Sequence, residues 1–427
     1  MIDSFKNFGQ NTFSSLWIRN YRLYFIGQGL SQGGNWMQIV GLGWLVLQLT
    51  GSGTALGTVL AFRFAPMLFG GPFAGIIVDR FEKRSILYIT QSAFALIALA
   101  LSILIYTDAV RIWMLFGFAF LQGLFDVVDN PSRQTFVHEM VGRDNLRNAV
   151  ALNSTEANLA RALGPLVAGS LIAGVGIAFC FLANAVSFGA VIFVLWLMRE
   201  SEFRKEHHER KPQGHVLESL SYVVSTPLIK SVLIVMAAIG TFSYEFQVTL
   251  PLLAQETFHG VAADYAALLS AMGAGSVAGG LFAASRQKIV PREFVISALL
   301  FGISICVTAI MPTLSLAVIG MIFVGFFSIN LTSLGNTMIQ LESTPHMRGR
   351  VMSLWSMAIF GSTLIGGPTV GFIGEFVNAR SALAIGGVVA ILAAGYAARN
   401  MLKRDQLPRT AEVELENDKA AAENVKL

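Results

Sequence analysis

Apolar residues fall in runs of about twenty, each closed by a short charged or turn-forming stretch, and a helix of that length crosses the hydrocarbon of a bilayer. Twelve such runs lie near 22–48, 55–78, 86–106, 112–133, 149–173, 176–198, 229–254, 264–285, 293–311, 315–341, 350–374 and 380–402. An even count predicts both termini on one side. Basic residues gather in alternate loops: Arg80, Lys83 and Arg84, then Arg133, Arg143 and Arg147, Arg199 and Arg204, Arg286, Lys288 and Arg292, Arg348 and Arg350, and Arg399, Lys403 and Arg404. The opposite loops hold only Arg111 and Arg380. The positive-inside rule therefore predicts cytoplasmic termini. The first twenty residues have no apolar signal core and are expected to remain in the cytoplasm, uncleaved.

The stretch from Arg199 to Gly214 mixes Arg and Lys with Glu and parts the runs into two sets of six. The expected organisation is a cytoplasmic segment over 1–21, a bundle over 22–198, a linker over 199–227, a second bundle over 228–403 and a disordered tail over 404–427. In the linker Val216, Leu220, Val223 and Val224 recur at helical spacing and predict a surface helix. Arg147 aligns with Arg350, and Gly164-Pro165 with Gly367-Pro368, at one offset of 203 residues (350 minus 147, 367 minus 164). The fifth run is thus the counterpart of the eleventh. The predicted fold is all-α and integral to the membrane, with twelve helices in two pseudo-symmetric bundles of six.

Composition agrees with that reading. Of 427 residues 54% are hydrophobic and 13% charged, about half the charge of a soluble protein. The 41 glycines suit close helix packing in lipid. A net charge of +4 is spread through short loops, so it reads as topology rather than as a nucleic-acid surface. Cys180 and Cys306 lie in apolar runs without ligand-spaced partners, and the adjacent His207 and His208 sit in a charge run, so neither a metal nor another cofactor is expected. Gly29-Leu30-Ser31-Gln32-Gly33 matches a hydrolase elbow only in letters, because it lies inside a span. No phosphate-binding loop is present in the sequence, and no enzyme activity is expected.

Ionisable residues inside apolar runs are costly and mark pathways or partners. Arg63 and Glu245 lie at matching depths in the second and seventh runs, as a gate, as a proton-linked pair, as a permanent structural pair, or as groups that never meet. Asp126 is deep enough in the fourth run to bind a proton, since loss of water disfavours a carboxylate's charge; the alternative is a salt bridge within its own half. The fifth run carries Glu156 as a proton-coupling or gating candidate and Asn153 and Arg161 as substrate-binding candidates; Arg161, near mid-membrane, can meet an anionic or phenolate substrate. Asn35 and Trp36 in the first run are further substrate-binding candidates. Between the second and third runs stands a charged elbow, Gly75-Ile-Ile-Val-Asp79-Arg80-Phe-Glu-Lys83-Arg84. Asp79 and Lys83 are four residues apart, within one helical turn, and Gly75 admits a neighbouring backbone. Taken alone, the elbow also reads as an anchor that only orients the chain.

That elbow resembles the signature loop of the major facilitator superfamily of secondary transporters, with Glu82 where the pattern usually has a second glycine. The resemblance implies a loop that bridges the two halves on the cytoplasmic side and helps hold the outward-facing state, with Asp129 in its charge relay. Gly164, Pro165 and Gly169 resemble the antiporter motif of drug:proton exporters, with Ala160 and Ala168 at positions often held by glycine; a proline bend with small-residue packing is the alternative. Arg63 with Pro66, Pro131-Ser132-Arg133 and Asn148 through Pro165 resemble the branch that exports siderophores such as enterobactin and macrolides. The resemblance implies efflux of an amphipathic organic molecule from the inner membrane by proton antiport with alternating access. Its expected partners are the substrate, protons, lipid and an outer-membrane efflux protein, with a monomeric carrier. An importer of the same fold and a lipid or lysolipid flippase remain the alternatives.

Overall fold

The structure, a computed structural model, describes residues 13–204, 216–286 and 289–402. The expected tail over 404–427, most of the N-terminal segment and the paired histidines fall outside the described residues.

Helices account for the architecture, and their ends follow from local chemistry. Helix α1 (Arg19–Thr50) stops where Gly51 adopts φ 61°. Helix α2 (Gly53–Arg80) starts where the Ser52 hydroxyl accepts from the Ala55 amide at 3.1 Å, satisfying one of the free donors of a helix start. Helix α3 (Lys83–Tyr106) follows after two residues. A helical stretch then runs Ile112–Val175, about 96 Å if straight, far more than one bilayer. It breaks at Gly142, whose φ of 68° only glycine takes readily, into α4 (112–141) and α5 (143–175). Helix α6 (Ala178–Leu197) completes the first half.

The surface helix α7 (Val216–Ser225) lies in the expected linker. The second half holds α8 (Pro227–Phe242), α9 (Phe246–Leu252), α10 (Ala262–Ala284), α11 (Pro291–Ala309), α12 (Leu314–Glu342), α13 (Arg348–Ser356), α14 (Thr363–Phe376) and α15 (Ala379–Ala397). Together α8 and α9 occupy the seventh run, and α13 and α14 the eleventh. Ten helical stretches among the described residues are long and apolar enough to cross a membrane, the 64-residue stretch counting once. That number is compatible with twelve spans, since α4 and α5 share a stretch and the amide-rich α1 falls outside the ten.

Two long helix crossings dominate the contact between the halves among the described residues. Helix α2 packs on α14 through Gly53 and Gly57 against Gly367 and Gly371; a Cβ on Gly53 would stand 2.7 Å from the Gly371 carbonyl. Helix α5 packs on α10, where a Cβ on Gly169 would stand 2.9 Å from that of Ala266 and one on Gly273 would stand 2.7 Å from the Arg161 carbonyl. The repeat maps α2 onto α10 and α5 onto α14, so these are one crossing used twice. With no side chain at the crossing, the backbones approach closely and dispersion replaces a hydrophobic drive that lipid cannot supply.

The α2–α14 seam is fastened at its Ser52 end. Glu375 Oε2 accepts from the Ser52 hydroxyl at 2.6 Å and from the Thr54 amide at 3.0 Å, so a carboxylate of one half caps a helix of the other. Glu375→Gln replaces charge-assisted bonds by neutral ones, a loss of about 1 kcal/mol. Spin labels at the exposed Thr107 and Val377 are expected to report a wider separation at this end, populated roughly fivefold more than in wild type. An unchanged distance distribution would show that Glu375 fastens nothing.

Candidate functional site

Between the halves lies a cavity of about 480 Å³, a size that encloses a small organic molecule. The first half contributes Trp36 from α1, Leu60 and Phe64 from α2 and Arg161 from α5. The second contributes Tyr244 to Gln247, the α10 face at Met272 and Ser276, a hydroxyl row at Ser328, Thr332 and Ser333 on α12, and Trp355, Phe360 and Thr363. Phe64 and Phe360 stack at 6.3 Å, the only ring pair between the halves among the described residues.

Two interruptions of helical structure fall on the cavity wall. Helix α8 ends at Phe242 and α9 begins at Phe246, leaving Ser243, Tyr244 and Glu245 in the turn. The Ser243 hydroxyl donates to the Gly386 carbonyl at 2.6 Å and holds that turn against α15. Helices α13 and α14 are likewise separated by a π-helical turn, Met357–Gly361, which carries Ile359 and Phe360 into the cavity. Backbone irregularity at membrane depth is tolerable where it lines a cavity, and it aims side chains that a continuous helix would direct elsewhere.

Arg161 and Glu245 are the only Arg, Lys, Asp or Glu on the wall among the described residues. The Arg161 guanidinium carbon lies 5.5 Å over the Trp36 ring, a cation–π contact that fixes its plane. Gly164 makes that contact possible, since a Cβ there would stand 2.5 Å from the Trp36 Cβ. Glu245 is 3% exposed. Its Oε1 and the Nε of Arg161 are buried without a hydrogen-bond partner among the described residues.

The other expected site residues are placed elsewhere. Arg63 does not meet Glu245: its Nη2 lies 3.4 Å from Asp126 Oδ2 on α4, within its own half. Asp126 therefore sits in the salt bridge weighed against proton binding. Glu156 faces α1, where Gly29 leaves it room, and its Oε1 is buried without a partner. Asn153 Oδ1 accepts from the Tyr21 hydroxyl at 2.8 Å, and neither Asn153 nor Asn35 lines the cavity. Pro165 lies inside α5, and Gly169 meets α10 as described.

At the elbow the geometry also departs from expectation. Asp79 and Lys83 belong to different helices, because α2 ends at Arg80 and α3 starts at Lys83. Asp79 is exposed, and the Lys83 ammonium donates to the Phe81 carbonyl at 3.3 Å. Arg80 lies over the Phe81 ring at 5.9 Å, while Arg84 donates to the Leu195 carbonyl at 2.7 Å, closing the end of α6. Gly75 lies within α2. Asp129 does not join Lys83. It is fully buried, pairs with Arg133 one turn on, and accepts from Thr90 Oγ1 at 2.6 Å and Gln91 Nε2 at 2.9 Å; Arg133 in turn donates to Gln28 Oε1 at 2.9 Å. Arg133 thus belongs to the helix interior rather than to a loop.

Sequence reasoning missed Tyr244, Gln247 and the α12 hydroxyls as wall residues. The placement of Tyr244 and Gln247 depends on the α8–α9 break, for which neither proline nor glycine between Phe242 and Phe246 gives a signal. Glu375 had a local sign in the capping serine beside it in space, but that serine lies over 300 residues away in the chain.

The profile of a family described as transmembrane secretion effector matches residues 3–425. The staphyloferrin A transporter of Staphylococcus aureus is 25% identical over 76% of this chain and 82% of its own. The multidrug efflux pump Tap of Mycobacterium tuberculosis is 25% identical over 79% of this chain and 83% of its own. The enterobactin exporter EntS of Citrobacter koseri is 24% identical over 80% and 82%. Among solved structures, a bacterial homolog to the human lysosomal transporter Spinster, in an inward-facing and unoccupied conformation, superposes with a TM-score of 0.70 at 14% identity, covering 90% of this chain and 98% of that one.

Proposed function

We propose that this chain, which belongs to the transmembrane secretion effector family of the major facilitator superfamily, exports an amphipathic organic molecule of siderophore or drug type by proton antiport. It is a multi-pass membrane transporter and not an enzyme. The finer reading rests on the cavity: one half presents Arg161, the other Glu245, and each has a buried atom that nothing among the described residues satisfies. Groups left unpaired at a mid-chain cavity suit transient partners, substrate in one state and a proton in another.

Alternating access is supported by where the halves touch. The glycine crossings and the Glu375 cap lie toward the Ser52 end, whereas Asp79 at the opposite end is exposed. Rocking about the cavity would part the first set of contacts and engage the elbow. The basic loops at the Arg84 end support a cytoplasmic position for that end and for both termini, with the chain in an inner membrane. A monomeric carrier that hands its cargo to an outer-membrane protein completes the proposal.

Purified protein in proteoliposomes, given an imposed pH gradient and panels of catecholate siderophores and lipophilic drugs, tests this reading. Gradient-dependent movement of one panel supports it; equal rates with and without the gradient refute antiport. Within the same assay Asp79→Asn is expected to slow turnover about tenfold, equivalent to about 1.4 kcal/mol on the rate-limiting step, while substrate affinity stays the same. A changed affinity with unchanged turnover would remove Asp79 from cycling.

A further inference from the structure

We propose that the cavity is built for an amphoteric molecule, one whose anionic group docks on Arg161 and whose cationic nitrogen docks on Glu245 while an apolar or aromatic body lies between them. This deepens the transport reading and rests on its claim that the cavity is the binding site.

The inference follows from what each charged group lacks. The guanidinium has one face against Trp36 and the buried Nε without an acceptor, so it is oriented but not neutralised. Glu245 belongs to a turn whose backbone is fixed by Ser243, so the carboxylate is oriented as well; the Thr363 hydroxyl approaches it, and Oε1 has no donor. Neither residue takes part in an ion pair among the described residues, although they are opposite in charge and share one wall. The cavity's charges therefore sum to zero but do not cancel in place.

A ligand bearing only an anion satisfies Arg161 and leaves Glu245 unpaired. A cation does the reverse, and a neutral ligand leaves both. Arg161 stays charged and bears the full cost whenever no anion meets it, whereas Glu245 without a cation takes up a proton that a cationic nitrogen must displace, so the ranking of ligands follows from how many of the two groups they engage. The rest of the wall is suited to the body of such a molecule: Phe64, Phe246 and Phe360 are apolar, and the α12 hydroxyls serve polar substituents. The two charges come from opposite halves, so a molecule that spans them contacts both halves at once.

Four derivatives on one fluorescent scaffold test the proposal by equilibrium binding to the full chain in lipid nanodiscs, with no gradient. They are 4′-(aminomethyl)biphenyl-4-carboxylic acid (both charges, at opposite ends of an aromatic body), its methyl ester (cation), its N-acetyl form (anion) and the doubly capped compound (neutral). The zwitterion is expected to bind about tenfold more tightly than either singly charged form, and the neutral compound most weakly. Arg161→Gln should bring the zwitterion down to the ester's affinity, and Glu245→Gln should bring it down to the acetyl form's affinity. The neutral compound should bind both variants at least as tightly as it binds wild type, which checks that the cavity is intact. If a variant does not fold, the wild-type ranking still decides. Equal affinities, a singly charged form binding best, or no binding by any member would overturn the proposal. Because no gradient is applied, loss of antiport with this ranking intact would refute the exchange reading alone, and a collapsed ranking with antiport intact would refute only the ligand class.

Discussion

Glu245→Gln is expected to abolish gradient-driven accumulation while leaving the protein folded. Glutamine keeps the shape of the side chain and removes its charge, so the turn between α8 and α9, held by Ser243 and Gly386, has no reason to change. What disappears is the one carboxylate on the cavity wall among the described residues, and with it the group that can release a proton to one side and take up a ligand cation from the other. A driving potential of 100 mV is worth about 2.3 kcal/mol per proton, roughly fiftyfold in accumulation, and the variant should forfeit that factor. Downhill exchange of labelled substrate across the same membrane would persist at a reduced rate. Full accumulation by the variant would move proton coupling elsewhere, with Glu156 as the next group to test, since it too has a buried oxygen without a partner.

The second large effect concerns stability. Asp129→Ala should leave little folded protein, because it strips the charge partner from Arg133, whose side chain is only 16% exposed, and orphans Thr90 and Gln91 at the same time. Breaking a buried pair from one side costs about 3–5 kcal/mol, comparable to the whole margin of many folds. Removing both charges is cheaper than removing one, so Asp129→Leu combined with Arg133→Leu should recover part of the loss. Thermal unfolding of the detergent-solubilised variants separates the cases. A single variant as stable as wild type would show that the pair is not sealed from water.

These two carboxylates illustrate what the chain of letters discloses. Glu245 was legible because a lone acid in an apolar run must face a cavity or a partner, and it faces the cavity. Arg161 and Trp36 were legible on the same ground. Their neighbours were not: Asn35 stands one residue from Trp36, about 100° around the helix, and so misses the wall that Trp36 reaches. Depth alone paired Arg63 with Glu245, yet depth says nothing of azimuth. Arg63 meets Asp126 because α4 crosses α2 closely at Gly123, where a Cβ would overlap the Arg63 carbonyl. For Asp129 the spacing to Arg133, one turn away, was the better guide than the elbow's family role.

The repeat was the most informative pattern at the level of the fold. One offset of 203 residues ties Gly164-Pro165 to Gly367-Pro368, and these segments lie on corresponding helices, α5 and α14, which each pack against the opposite half. The Gly-Pro segments therefore have a packing role that their chemistry explains without reference to antiport. Gly164 admits Trp36, and Gly367 lies against Gly57 across the seam. The break before α9 and the π-turn after α13 had no such signature in the residues at the break; the first is held against α15 by Ser243 and the second packs against α8.

Proton movement driven by substrate alone tests the account most directly. Proteoliposomes preloaded with a transported compound, at equal pH inside and out, are diluted into compound-free buffer while an enclosed dye follows the internal pH. The account predicts internal acidification as the compound leaves, and none with Glu245→Gln. Internal alkalinisation, with protons leaving alongside the compound, or exit of the compound with no change in pH, would contradict it.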